Sequence, residues 1–131
     1  MEILAELSKI IIDETGDQQI IVIKEKAGER AFPIVIGFYE ICAIDRRLKG
    51  LIPPRPLTHD LLGKVIENLD GELEKIVITD LREHTYFAEL HIRRDGHTIK
   101  IDSRPSDAIA LGVATNTDVY VEEKVFTKSK M

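Results

Sequence analysis

Two carboxylates, two hydroxyls and one guanidinium stand within the six residues Asp102-Ser103-Arg104-Pro105-Ser106-Asp107. They fall where a strand is expected to hand over to a helix, so the unpaired N–H groups of a helix start join them. That set suits a phosphate ester: Arg104 and Ser106 would hold its oxygens, while Asp102 and Asp107 would hold a hard cation or steer protons. A purely structural account uses the same residues. Ser103 caps the helix, Pro105 fits its first turn, Asp107 complements the helix dipole and Arg104 clamps an aspartate. A second cluster has the same form. Arg55-Pro56-Leu57-Thr58-His59-Asp60 brings a stiffened loop into a helix start, with Arg55 and Thr58 as phosphate donors and His59 as a general acid or base beside Asp60. Its structural alternative is capping by Thr58 and docking of the loop.

The elements that must position these clusters are legible in outline. Ile3 to Ile12, Gln19 to Lys24 and Ala31 to Ile36 are β-rich, with turn residues at Glu14-Thr15-Gly16-Asp17 and Ala27-Gly28-Glu29-Arg30. After Gly37, Ile41, Ile44 and Leu48 recur at helical spacing up to Gly50. Three prolines make Leu51 to Pro56 a stiff connector. A second helix from Thr58 carries the apolar stripe Leu61, Leu62, Val65, Ile66 and Leu69, and ends near Asn68, Asp70 and Gly71. Leu73 to Leu81, Thr85 to Arg93 and Thr98 to Ser103 form a second meander, followed by a helix over Pro105 to Ala114 and a short strand at Val119 to Val121. The expected fold is α+β: a mixed, mainly antiparallel sheet of two three-strand meanders with helices packed on it. Residues 1–126 form one domain and 127–131 a frayed tail.

Asp95-Gly96 is a two-residue hairpin turn, and it sets a register. Pairing Arg94 with His97 puts Ile92 opposite Ile99 and Leu90 opposite Ile101 on one face, and His91 opposite Lys100 on the other. It also puts Glu89 opposite Asp102, and two facing carboxylates need relief. A divalent cation such as Mg²⁺ or Mn²⁺ could supply it, held by Glu89, Asp102 and Asp107 with His91 nearby. Neutralisation by Arg104, Lys100 or Arg93 is the other solution.

Composition narrows the field. A net charge of −5 argues against strong general affinity for nucleic acid, although Arg46, Arg47, Lys49 and Arg55 form an acid-free basic stretch that could hold an anion or simply be solvated. One cysteine, Cys42, excludes an internal disulfide and a cysteine-rich zinc site, and its setting is that of a core filler. No apolar run approaches a membrane span and the acidic start has no signal-peptide character, so a cytoplasmic location without membrane contact is expected. Phosphate-loop, dinucleotide-glycine and serine-hydrolase signatures are absent.

Three blocks, in order, resemble the bifunctional nuclease domain family. They are Pro33-Ile34-Val35-Ile36-Gly37 with Glu40 and Ala43-Ile44, then Arg55 to Leu61, then Asp102 to Leu111. The resemblance covers nearly the whole chain. It implies an α+β fold, self-association with a dimer favoured, and nuclease action on DNA and RNA. Combined with the residue chemistry, the expected enzyme is a phosphodiesterase. His59, Asp60, Asp102 and Asp107 would be catalytic, Arg55, Arg104, Ser106 and Thr58 would bind phosphate, and a divalent cation would assist on single-stranded DNA or RNA. The alternative is a non-catalytic regulatory module in which the same junctions hold an anion, a nucleic acid or a partner protein.

Overall fold

Two antiparallel meanders are joined into one sheet by a strand from the far end of the chain. The computed structural model describes residues 1–16 and 18–130. Its elements are β1 (Glu2–Ile11), β2 (Gln19–Glu25), β3 (Ala31–Ile36), α1 (Phe38–Leu48), α2 (Thr58–Asn68), β4 (Glu72–Arg82), β5 (Thr85–Arg94), β6 (His97–Ser103), α3 (Pro105–Thr115), β7 (Val119–Glu122) and α4 (Glu123–Ser129). The strand order is β3-β2-β1-β7-β4-β5-β6. β7 lies antiparallel to β1 and parallel to β4, so this four-residue strand supplies the ladder between the two meanders. The α+β class and both meanders match expectation. The Asp17 end of the first turn cluster lies outside the described residues.

The register set by Asp95-Gly96 is observed pair for pair. Arg94 faces His97, Ile92 faces Ile99, Leu90 faces Ile101 and Glu89 faces Asp102. Both turn residues have positive φ, 51° and 76°, as a two-residue turn with the twist of its flanking strands requires.

α3 occupies the centre of the helix layer. Ala108 to Leu111 are all buried there, against Ile76, Ile78, Leu90 and Ile92 of the sheet among others. α1 packs beside it through Ile41 and Ile44, while Leu48, expected on the same face, is exposed. α2 differs more. Its apolar stripe was expected to face the core, yet none of its residues is fully buried. Because α3 already covers the central strands, α2 lies against the flank of α3. It turns His59, Gly63 and Ile66 inward and leaves Leu61, Leu62, Val65 and Leu69 exposed.

The expected tail is also structured up to its last described residues. Residues 127–129 form the last turn of α4, in which Val125 and Phe126 are buried, and Met131 lies outside the described residues. Phe126 packs edge-on against Phe32, which stacks on Tyr86 at 5.1 Å between ring centroids. Phe32 belongs to the edge strand β3 and Tyr86 to the start of β5, so the sheet curls until β3 and the β4–β5 hairpin share one aromatic cluster. Asp80 on β4 ties α4 down: it accepts hydrogen bonds from Lys128 Nζ at 2.7 Å and Arg82 Nε at 2.9 Å, with Lys124 at 3.8 Å.

Those contacts, the Lys128 hydrogen bond foremost, hold the Asp80 carboxyl far below its ordinary value. A depressed carboxyl stabilises the fold above its unfolded pKa and loses that contribution as acid protonates it. Asp80→Asn is therefore expected to lower the melting temperature near neutral pH, with the deficit shrinking as the pH falls below 3.8. Thermal melts across that range check this; a deficit independent of pH would contradict it.

Candidate functional site

The first turns of α1, α2 and α3 converge, and each carries an acid: Glu40, Asp60 and Asp107. A carboxylate there complements the positive end of its helix dipole. Each helix end contributes only about half a positive charge, so the three carboxylates more than offset the dipoles, and the positive charge of the corner comes from Arg104 and Arg47.

Asp107 is the centre of the corner. Its Oδ2 accepts from Arg104 Nε at 2.9 Å and lies 2.9 Å from Arg104 Nη2. Its Oδ1 lies 3.1 Å from His59 Nε2. Arg104 Nη2 also approaches Glu40 at 3.8 Å. The hydrogen bond it donates to Asp107 holds the Arg104 guanidinium further above its already high pKa, so Arg104 is a permanent cation. The two polar clusters of the sequence therefore meet in space, through His59 and Asp107. Glu40 was quoted as part of a motif without a role; its ion-pair distance to Arg104 gives it one.

Local geometry explains the placement. Arg104 is extended (φ −68°, ψ 143°) and precedes Pro105, which opens α3. Ser103 was expected to cap this helix, but its hydroxyl donates to the Arg104 carbonyl at 2.8 Å. Ser106 is buried in the first turn. At the start of α2, Thr58 is already helical and Leu57 holds the cap position, where its side chain has no acceptor to offer. Asp60 serves instead: its Oδ2 accepts from the Leu57 N–H at 3.1 Å, and its Oδ1 lies 3.4 Å from Arg47 Nη2. Arg47 also donates to the Ala114 carbonyl at 2.7 Å, locking α1 to α3. Thus Asp60 and Arg47 hold structure, Lys49 pairs with Asp45, and Arg55 is exposed. Gly63 permits the close approach of α2 and α3, because a Cβ there would stand 2.9 Å from Thr115 Cγ2.

Glu89 and Asp102 face each other as expected, but on the sheet face opposite the helices. Leu90, Ile92, Ile99 and Ile101 point the other way by strand alternation. Asp107 belongs to the helix side, so Glu89, Asp102 and Asp107 are split between two faces. Among the described residues no three His, Cys, Asp or Glu side chains group as metal ligands. Of the cations weighed for neutralising the pair, Arg104 is engaged with Asp107 and Arg93 with Glu74, while Lys100 has no ion-pair partner among the described residues. Buried His91 meets Glu89 instead, Nε2 to Oε1 at 3.1 Å.

Asp107 also lies between two cavities. Arg104, Pro105 and Ser106 line a groove of about 790 Å³ between β3 and the β4–β5 hairpin, with Glu83, His84 and Lys128 on its far wall. His59 and Asp60 line a smaller, largely apolar cavity of about 200 Å³ under the proline connector, with Arg46 and Arg47. No helix is long and apolar enough to cross a membrane.

A curled sheet carrying three helix starts that meet, with a shared carboxylate between a histidine and an arginine, defines an α+β domain with a dense polar corner. The model of the bifunctional nuclease domain matches residues 21–131, and the chain belongs to that family. An uncharacterised protein of Mycobacterium tuberculosis is 38% identical over 120 residues, which is 92% of this chain and 71% of the relative. Bifunctional nuclease 2 of Oryza sativa subsp. japonica is 26% identical over 87% of this chain, and bifunctional nuclease 1 of Oryza sativa subsp. indica is 21% identical over 86%. The chain spans 36% and 35% of those rice proteins.

The His59–Asp107 contact should be measurable as a coupling. A double-mutant cycle of His59→Ala and Asp107→Asn, read by urea denaturation, is expected to give about 0.5–1.5 kcal/mol of interaction energy for this partly buried hydrogen bond. Strictly additive effects would show that the two helix starts are not joined there.

Proposed function

We propose that the protein is a phosphodiesterase acting on single-stranded DNA or RNA, with His59, Asp107 and Arg104 as its working residues. The observation that carries this reading is the pair of contacts made by Asp107 at a corner built from three helix starts. Membership in the bifunctional nuclease domain family supports the substrate class.

The chemistry follows from the contacts. Asp107 accepts at Nε2 of His59, which assigns the ring proton to that nitrogen and leaves Nδ1 as the base. Arg104, whose side chain is 68% exposed, is free to exchange a carboxylate oxygen for a phosphate oxygen. Ser106 and the first N–H groups of α3 add neutral donors. In the proposed reaction His59 removes the proton from an attacking water. The new P–O bond forms as the bond to the leaving sugar oxygen breaks, and that oxygen is reprotonated. Arg104 compensates the charge that builds on the phosphoryl oxygens.

A divalent cation, Mg²⁺ or Mn²⁺, would be held here by a carboxylate of the corner, Asp107 being the central one, and would supply further charge compensation to the phosphate. Mg²⁺ is commonly held in that way, and no preformed three-ligand group offers an alternative among the described residues. Arg55 and Thr58, both exposed, would extend phosphate contact. The net charge of −5 and the internally paired site charges favour a second reading, an anion- or nucleic-acid-binding module without catalysis.

Labelled single-stranded DNA and RNA, incubated with the protein in Mg²⁺, Mn²⁺ or chelator, separate the two. Cleavage by the wild type is expected, with turnover falling at least about 100-fold in His59→Ala and substrate binding weakened in Arg104→Ala. Binding without cleavage would favour the module. Cleavage unchanged in both variants would contradict the proposed site.

A further inference from the structure

The cavity under the proline connector has no role in the chemistry assigned to the corner, although His59 belongs to both. Small side chains leave it open: Ala43 of α1, and Ala110 and Ala114 one turn apart on α3. Larger residues at those positions would fill it. The connector provides its other apolar wall, where Leu51, Ile52 and Leu57 are 56%, 79% and 43% exposed. Pro53, Pro54 and Pro56 keep that wall stiff. A volume of about 200 Å³ is the space of roughly six or seven waters, or of one heterocyclic ring system.

Two arginines of α1 hold the polar capacity that the cavity has to spare. Arg47 is committed at Nη2, to the Ala114 carbonyl and to Asp60. Its Nε is the one buried side-chain polar atom among the described residues without a hydrogen bond. A buried donor in that condition gains from any acceptor brought to it, and a charged donor gains most. Arg46 is exposed and has no ion-pair partner among the described residues, whereas Lys49 is paired with Asp45 and Arg47 with Asp60. A ligand suited to this cavity is therefore small and mostly apolar, carries an acceptor on its edge, and is attached to negative charge.

We infer that this cavity is a nucleobase subsite, receiving the base of a nucleotide next to the phosphate held at Arg104; the inference rests on the phosphodiesterase reading above. His59 ties the two places together. It lines the cavity and meets Asp107 at 3.1 Å, so an occupant lies beside the group that acts on the phosphate. In a polynucleotide the apolar body one sugar away from each phosphate is a base. A base has the size of the cavity, and its carbonyl oxygen or ring nitrogen offers Arg47 an acceptor. The neighbouring phosphate of the strand supplies the charge that Arg46 lacks. An aliphatic or aromatic carboxylate would suit the arginines but has no reason to lie beside a histidine placed for phosphate chemistry. A single-strand preference follows, because a base can enter only when it is unstacked and unpaired. An acidic protein with little general attraction to phosphate thus selects its strand by the exposed base rather than by charge.

Two trinucleotides with hydrolysis-resistant linkages, an oligouridylate and its fully abasic counterpart, test this by binding alone in NMR titrations. The uridylate is expected to bind at least about tenfold more tightly, with saturable shifts on the methyl groups of Ala43, Ala110 and Leu57. The abasic trimer should shift the corner at Arg104 and leave those methyl groups unmoved. Ala43→Leu fills the cavity without touching His59 or Arg104. It should remove the preference and keep the affinity for the abasic trimer, which together with circular dichroism shows that the variant is folded. Ile52→Ser, at a position 79% exposed, cannot disturb the core and should lower the preference at least about twofold. Equal binding of the two trimers, or a preference without shifts in the cavity, overturns the subsite and leaves the phosphate corner standing. So does a preference that survives in Ala43→Leu. Binding of neither trimer overturns the phosphodiesterase reading and this inference with it.

Discussion

The proposed activity of this protein depends on one carboxylate being shared. Asp107 uses one oxygen for His59 and the other for Arg104. Without it, a histidine on α2 and an arginine before α3 have no reason to hold a common orientation, and each would lie near a positive helix end that disfavours it. The carboxylate offsets both effects. It also helps to seat α2 on α3, beside the close approach at Gly63 and the Asp60–Arg47 pair, whose arginine donates to the Ala114 carbonyl. The same atoms therefore set a tertiary contact and an arrangement able to act on a phosphate.

The rest of the fold holds that corner still. β7 links the two meanders, and α3 runs directly into it after the short turn at Asn116 to Asp118. The aromatic cluster of Phe32, Tyr86 and Phe126 then pulls β3 and the β4–β5 hairpin together. This curl creates the groove that Arg104 and Ser106 open onto. A flat sheet would leave β3 and the β4–β5 hairpin too far apart to form its walls. Burial declines outward from α3: α1 is anchored by two buried isoleucines and Arg47, while α2 has no fully buried residue.

What the sequence revealed followed how local each signal was. The Asp95-Gly96 turn carried its own register, so Glu89 could be placed opposite Asp102 correctly. The place of β7 could not be read, because four residues carry no information about which strands they join. α4 has only two buried apolar residues, too few to distinguish from a tail. Apolar spacing marked α2 as a helix but not which way its stripe faced, since that depends on α3 filling the centre first. The polar clusters were found as candidates, but their junction depends on the close approach permitted at Gly63. Capping was misassigned twice, at Ser103 and Thr58, because position alone does not show which side chain reaches a free N–H. The partner of Glu89 was within reach of the sequence: His91, two residues away, shares its face.

The most direct measurement is a backbone and side-chain NMR titration with a single-stranded oligonucleotide whose linkages resist hydrolysis. If the corner is where phosphate binds, the largest saturable changes fall on the Arg104 guanidinium, the His59 ring and the first amides of α3, and Arg104→Ala removes them. Saturable binding that leaves these groups unmoved, with changes confined to other surfaces, would contradict the account.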